Sequence, residues 1–161
     1  MFSMFMATLV GTTAYVLTLS GPAEAQNLSD RDTNEIANYV LTDAALAKYT
    51  QAVRKLQPLM GKLPQDCDTD EQPKSLNDTA ARMDGVPEVK SALKASGMTS
   101  REYLVFSWSV FQNGMASWAL EQPGGKLPPG AKKANVDFYR THEVELKKLG
   151  EMTKHGDCDV R

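Results

Sequence analysis

The stretch that decides the fold is residues 99–118, TSREYLVFSWSVFQNGMASW. Thr99, followed three residues later by Glu102, forms a capping box that marks the start of a helix. At 100° per residue the large side chains fall into two stripes on roughly opposite sides. Because a helix that is apolar on two sides is normally buried, we predict that this segment is the centre of a bundle. The first stripe contains Leu104, Trp108, Phe111, Met115 and Trp118, the second contains Tyr103, Phe106, Val110 and Gly114, and a narrow polar strip contains Ser109, Gln112, Asn113 and Ala116.

Capping and breaking residues along the rest of the chain indicate further helices. No run alternates with a period of two for long enough to suggest a strand. We therefore predict an all-α fold, in which an N-terminal hydrophobic helix precedes a compact bundle of about five to six helices. The predicted helix starts are Ser29, Thr42, Ser75, Pro87, Thr99 and Asn135, and the predicted stops are Gly61, Gly85 and Gly97.

Residues 1–25 are either a signal peptide or a single transmembrane anchor. The small residues Ala23 and Ala25 flank Glu24 as in a cleavage site, but no basic residue stands before them. As a helix, Phe2–Leu19 would be about 27 Å long, close to the ~30 Å hydrocarbon core of a bilayer. Both alternatives place residues 26–161 outside the cytoplasm as one helical domain, and the second attaches the chain to the membrane through residues 2–20.

The chain contains two cysteines, Cys67 and Cys158. In an oxidising compartment such a pair most simply forms a disulfide, and closing a loop of about 90 residues contributes about 4 to 5 kcal/mol in the chain-entropy description. Two alternatives remain, a pair of free thiols and a zinc site that adds His155.

The charges and motifs exclude several classes of function. The chain has 18 Lys and Arg residues against 20 Asp and Glu, with no basic patch, which argues against a nucleic-acid partner. The sequence contains no G-x-S-x-G motif and no phosphate-binding loop, so we predict no catalytic residues. Asp66, Asp68 and Asp70 imitate the start of a calcium loop, but Glu71 stands where that loop requires glycine. We accordingly predict no metal site.

Two sets of residues are candidates for binding a ligand. His142 falls between Phe138 and Leu146 on an apolar helix face, where an imidazole could bind a haem or a metal, or simply be a core residue. Trp108, Gln112 and Trp118 could line a pocket between helices, which Tyr103, Phe106 and Phe111 would help to wall and in which Gln112 and Asn113 would orient a ligand. The alternative is that the aromatic side chains form the core itself. Because the c-type haem attachment motif is missing, we predict no cofactor.

Three runs resemble a group of small exported helical proteins of bacteria whose function is uncharacterised. These runs are Gly97–Tyr103, Phe111–Met115, and Leu127–Gly130 with Ala134–Glu143. The similarity extends from about Leu41 onward, and His142 and Asn135 match its pattern. This resemblance implies a bacterial source and an exported all-helical domain, and it implies no activity.

These observations favour a non-enzymatic accessory subunit. Its N-terminal helix would hold the helical domain on the periplasmic side of a bacterial membrane, where it packs against the other protein subunits of a larger complex, such as a respiratory or photosynthetic one. The alternative is a soluble periplasmic protein that binds a small ligand or cofactor through His142 and the aromatic side chains.

Overall fold

The computed structural model describes residues 29–63 and 75–153. Residues 1–28, Cys67 and Cys158 lie outside these ranges, so the N-terminal helix and the disulfide stay predictions. In the two described ranges, no helix has both the length and the apolarity needed to cross a bilayer.

The described part of the chain consists of six α-helices and one 3₁₀ segment and contains no strand, which confirms the all-α class. The elements are α1 (Asp30–Asn38), α2 (Asp43–Leu56), the 3₁₀ segment Gln57–Lys62, α3 (Leu76–Asp84), α4 (Pro87–Ala95), α5 (Ser100–Glu121) and α6 (Lys133–Met152).

Most helix starts lie where the capping residues predict them. The side chains of Ser29, Thr42, Ser75 and Thr99 each accept a hydrogen bond from a backbone N–H in the first turn. Thr99 and Glu102 form the complete capping box. Pro87 is the first residue of α4, where a missing N–H costs nothing.

Two predicted helix ends are wrong. Helix α2 stops at Leu56 rather than Gly61, because Pro58 has no N–H to continue the hydrogen-bonding pattern and the chain tightens into the 3₁₀ segment. Helix α6 begins at Lys133, so Asn135 is not its cap. Asn135 is buried instead: its Oδ1 accepts from the Leu41 N–H at 3.0 Å, and its Nδ2 donates to the Tyr39 carbonyl at 2.8 Å. It thereby ties the α1–α2 connection to α6.

Helix α5 packs against all five other helices. Its first half supplies the centre of the core, where the Tyr49 ring of α2 stacks on Tyr103 and Phe106 with centroids 5.2 and 4.5 Å away. The main core cluster consists of Leu41, Leu46, Tyr49, Ala52, Val53, Leu56, Met83, Val89, Leu93, Met98, Tyr103, Phe106, Leu146 and Leu149.

The second half of α5 is turned the other way from our expectation. Phe111, Met115 and Trp118 are 58, 52 and 58 % exposed, so the prediction that this stripe is core is wrong beyond Trp108. The inner face carries small and polar residues, Ser109, Asn113, Ala116 and Ser117. Because these side chains are small, α1 and α6 can approach α5 closely. Their polar atoms form hydrogen bonds to both helices: the Ser109 hydroxyl donates to the Ile36 carbonyl of α1 at 3.3 Å, and the Arg140 Nε of α6 donates to Ser117 Oγ at 3.0 Å.

A buried ion pair joins α1, α3 and α5. Asp32 is 1 % exposed, and its carboxylate accepts from Arg101 Nη2 at 2.7 Å and from the Leu76 N–H at 3.1 Å. The same guanidinium donates to Asn77 Oδ1 and pairs with Glu35. Burial by itself raises the pKa of Asp32, but the bonds from Arg101, Ser29 and Leu76 outweigh it and lower the pKa below its usual value.

The last described residues before the two cysteine-bearing segments border one cavity. Leu63 and Thr153 both line a cavity of about 300 Å³ beside Tyr49 and Tyr103. From these residues, Cys67 and Cys158 are within roughly 14 and 17 Å of extended chain. The disulfide between them stays a prediction.

We expect Asp32→Asn to lower the free energy of unfolding by about 2 to 3 kcal/mol at pH 7, because it removes a charged acceptor from buried donors. Since the folded pKa is lowered, the contribution of Asp32 is complete above its unfolded pKa of about 4 and is lost as the pH falls through the folded pKa. The deficit of the variant should therefore shrink below about pH 4. Urea titrations followed by circular dichroism measure both effects. The control is Asp137→Asn, which removes an exposed ion pair with Lys133 and should cost under about 1 kcal/mol. A stability deficit of Asp32→Asn that does not change with pH would contradict the prediction.

At Gly114 the Tyr139 ring of α6 packs directly against the backbone of α5. A Cβ there would lie 3.0 Å from Cζ of Tyr139. We expect Gly114→Val to cost roughly 1 to 3 kcal/mol by overpacking, and part of that cost to disappear in the Tyr139→Ala background. The control is Gly150→Val in α6, where a Cβ meets nothing within 4 Å. Equal costs in both backgrounds would show that the Tyr139 contact is not the cause.

Candidate functional site

The candidate site is an open apolar groove of about 460 Å³ beside the C-terminal half of α5. We call it the α5 groove. Its floor and one wall come from α5 and α1, and its other wall is the connection that precedes α6. The residues that define it are Phe111, Gln112, Met115 and Trp118 of α5, Thr33, Ile36 and Ala37 of α1, and the connection Pro128–Lys132.

The groove exists because neighbouring helices have unequal lengths. Helix α5 has 22 residues and is about 33 Å long, whereas α1 has nine residues and is about 14 Å long. Helix α1 covers the small residues around Ser109 and then ends. The apolar stripe from Phe111 to Trp118 therefore continues without a helix packed over it in the described residues.

A turn with a defined geometry forms the far wall. The Ala131 N–H donates to the Pro128 carbonyl at 3.1 Å, and Gly130 has a φ of 81°. A type II turn requires a positive φ at its third position and commonly has proline at its second, as Gly130 and Pro129 provide here. The Lys132 ammonium then donates to the Asn38 carbonyl at the end of α1 at 2.7 Å. Together these bonds hold the wall opposite α5.

The charge around the groove is positive on the side of the connection. Among the described lining residues, Lys132 is the one charged side chain, and no carboxylate lines the groove. Lys126 is exposed two residues before Pro128, outside the groove lining itself. Helix α6 starts beside Lys132 with no side chain capping its N-terminus, so the positive end of the helix dipole adds to the lysine charges.

The predicted pocket residues are only partly brought together. Gln112 and Trp118 line the groove, but Trp108 does not. Trp108 packs half-buried against Ile36 and Val105, with its ring edge-on to Phe111 at a centroid distance of 5.8 Å. Phe111, which is also among the residues expected to wall the pocket, lines the groove, whereas Phe106 and Tyr103 are buried in the core. Met115 lines the groove too and was missed as a site residue, because the sequence pattern placed it in the core. Whether the groove binds a ligand stays a prediction.

His142 lies outside the α5 groove. Its Nε2 is 3.1 Å from Asp43 Oδ1 of α2, and its ring packs on Phe138 at a centroid distance of 4.4 Å. It lines a separate cavity together with Arg54 and Lys148. The structure thus does not combine His142 with the aromatic side chains in one site. In residues 29–63 and 75–153 no cluster of three or more His, Cys, Asp or Glu side chains could hold a metal ion.

Comparison of the chain with protein-family models, with curated proteins and with solved structures gives no match. Its function must therefore be inferred from its own geometry. The α5 groove is the feature of the described domain that most resembles a binding site.

We expect truncation of the groove and of the core to have very different effects on stability. Trp118→Ala should lower the free energy of unfolding by less than about 1 kcal/mol, because the side chain is already more than half exposed. Phe106→Ala, at a fully buried ring, should cost about 3 to 5 kcal/mol. Urea unfolding monitored by circular dichroism compares the two variants. A large loss in Trp118→Ala would place Trp118 in the core and contradict the description of the groove.

Proposed function

We propose that this chain is a non-enzymatic accessory subunit that binds a protein partner through the α5 groove. The observation that carries the proposal is the exposure of Phe111, Met115 and Trp118 on one face of a single helix. Isolated exposed apolar residues are ordinary, but a contiguous apolar groove on a small domain is typical of an interaction site.

The spacing of the three side chains supports a protein partner. They stand at positions i, i+4 and i+7, which is the seam that one helix presents to another. The other faces of α5 pack against α2, α3 and α6. The seam is thus a helix-packing surface whose partner is not among the described elements.

The N-terminal segment supports a location at a membrane. Residues 2–20 contain no charged side chain and have the length of a membrane span. We propose that they deliver the domain to, or hold it at, the periplasmic side of a bacterial membrane. The partner would then be a subunit of a larger membrane complex.

A small apolar ligand is the second candidate. The volume of about 460 Å³ lies within the usual range for ligand pockets, roughly 300 to 1,000 Å³, and Gln112 and Asn113 could orient a ligand. Such pockets, however, bury most of the ligand surface, whereas the large side chains of this groove are themselves more than half exposed. The geometry therefore favours a protein partner.

Position-specific photocrosslinking in cells tests the proposal. A photoreactive phenylalanine derivative replaces Met115 in the full chain, and the same replacement at Val144, which is 86 % exposed on α6, is the matched control. We expect one discrete adduct with a membrane protein from position 115 and none from position 144. In addition, Met115→Glu should abolish co-purification of that protein with the chain, whereas Val144→Glu should not.

Two results would contradict the proposal. One is the absence of any protein adduct at position 115, with an intact mass showing a co-purified small molecule, which would favour the ligand-binding alternative. The other is equal crosslinking from both positions, which would show that the α5 groove is no more engaged than the rest of the surface.

A further inference from the structure

We infer that the occupant of the α5 groove is an acidic amphipathic helix. Its apolar side chains would repeat at the spacing i, i+3 or i+4, i+7, and its carboxylates would face the connection Pro128–Lys132. This inference rests on the proposed function and specifies the chemistry of the partner.

The apolar part of the inference follows from the shape of the groove. Phe111 and Trp118 are seven residues apart, which is about 10.5 Å or two helical turns. A helix laid against this seam can place two turns of its own side chains between Phe111, Met115 and Trp118 and the wall at Pro129. A flat membrane surface fits poorly, because the apolar side chains line a concavity between α1 and the connection rather than a protrusion.

The acidic part follows from the charges. Lys132 is the one charged residue in the described lining, and α6 starts beside it without a side-chain cap. Lys126 is exposed two residues before Pro128, at the edge of the same wall. These groups attract carboxylates and repel a cationic helix. The Lys132 ammonium is held in place by its bond to the Asn38 carbonyl, so its position needs little further ordering on binding.

The same charges argue against a second copy of this chain as the occupant. In a two-fold symmetric contact each copy presents the same surface to the other. Since no carboxylate lines the described groove, a second copy would bring no acidic group to Lys132. The seams of the two copies would cover each other and leave Lys132 without a carboxylate partner.

Two synthetic helical peptides test the inference. Both carry leucines at the i, i+3, i+7 spacing and contain no tryptophan, and their flanking residues are glutamate in one and lysine in the other. The protein is the full chain with Trp108→Phe in neutral-lipid nanodiscs, so that Trp118, the one tryptophan left, reports on binding. We expect the glutamate peptide to shift the Trp118 emission to shorter wavelength and to bind at least about tenfold more tightly at low salt, with the difference shrinking at high salt.

Charge reversal on the protein provides the matched control. Lys126→Glu, alone and combined with Lys132→Glu, should reduce or reverse the preference for the glutamate peptide. Lys94→Glu, at the end of α4 and away from the groove, should leave the preference unchanged. The single Lys126 variant keeps the test valid if loss of the Lys132 to Asn38 bond disturbs the connection.

The outcomes separate this inference from the proposed function. Equal affinities, tighter binding of the lysine peptide, or no change in Trp118 emission with either peptide would overturn the acidic helix. A dimer of the full chain that is lost on Met115→Glu would overturn it in favour of a second copy. If position 115 still crosslinks to a membrane protein in these cases, the proposed function stands while the inference fails. If the crosslink is missing and the glutamate peptide binds with the expected preference, the inference that the groove binds an acidic helix stands while the proposed accessory function fails.

Discussion

Helix α5 has to pack against every other helix of the described domain, and most of the structure follows from this requirement. Its first half meets the requirement with large side chains, since the rings of Tyr103 and Phe106 stack on Tyr49. Its second half meets it with small ones. At Gly114 helix α6 lies so close to α5 that its Tyr139 ring occupies the space that a side chain at position 114 would need. Small inner residues leave the large ones on the outside, and that is why the same helix has both a core and an exposed apolar seam.

Buried polar groups determine how the helices are arranged around α5. In the described ranges every fully buried side-chain nitrogen and oxygen has a hydrogen-bond partner. Asp32 and Arg101 align α1 with α5 and α3, and Asn135 fixes the α1–α2 connection to α6. Because an unpaired buried polar group costs more than a lost apolar contact, these bonds disfavour other arrangements of the same helices. The short α1 is thereby held where it covers Ser109 and leaves the α5 groove open.

The groove connects the fold to the proposed function. An apolar seam exposed to water is unfavourable for the isolated domain, and a partner that covers it recovers the free energy of burial, on the order of 25 cal/mol per Å². The type II turn at Pro128–Ala131 and the Lys132 bond to α1 give this surface a fixed wall and a positive edge. A surface that is already ordered before binding loses little entropy on association, which favours a specific partner.

The sequence alone determined the all-α class and nearly all helix starts, because caps such as Thr99 with Glu102 act within one turn of the chain. It also named Gln112 and Trp118 of one helix as candidate pocket residues, and both line the α5 groove. Only the tertiary structure decided which face of α5 is buried, because both stripes are apolar and the choice depends on how closely α1 and α6 can approach. The role of Asn135 was also decided only by the tertiary structure. Its position near the start of α6 is compatible with a helix cap, but the side chain is buried and bonds to another part of the chain. Its actual partners, Leu41 and Tyr39, are more than 90 residues away, and no local pattern encodes a bond over that distance.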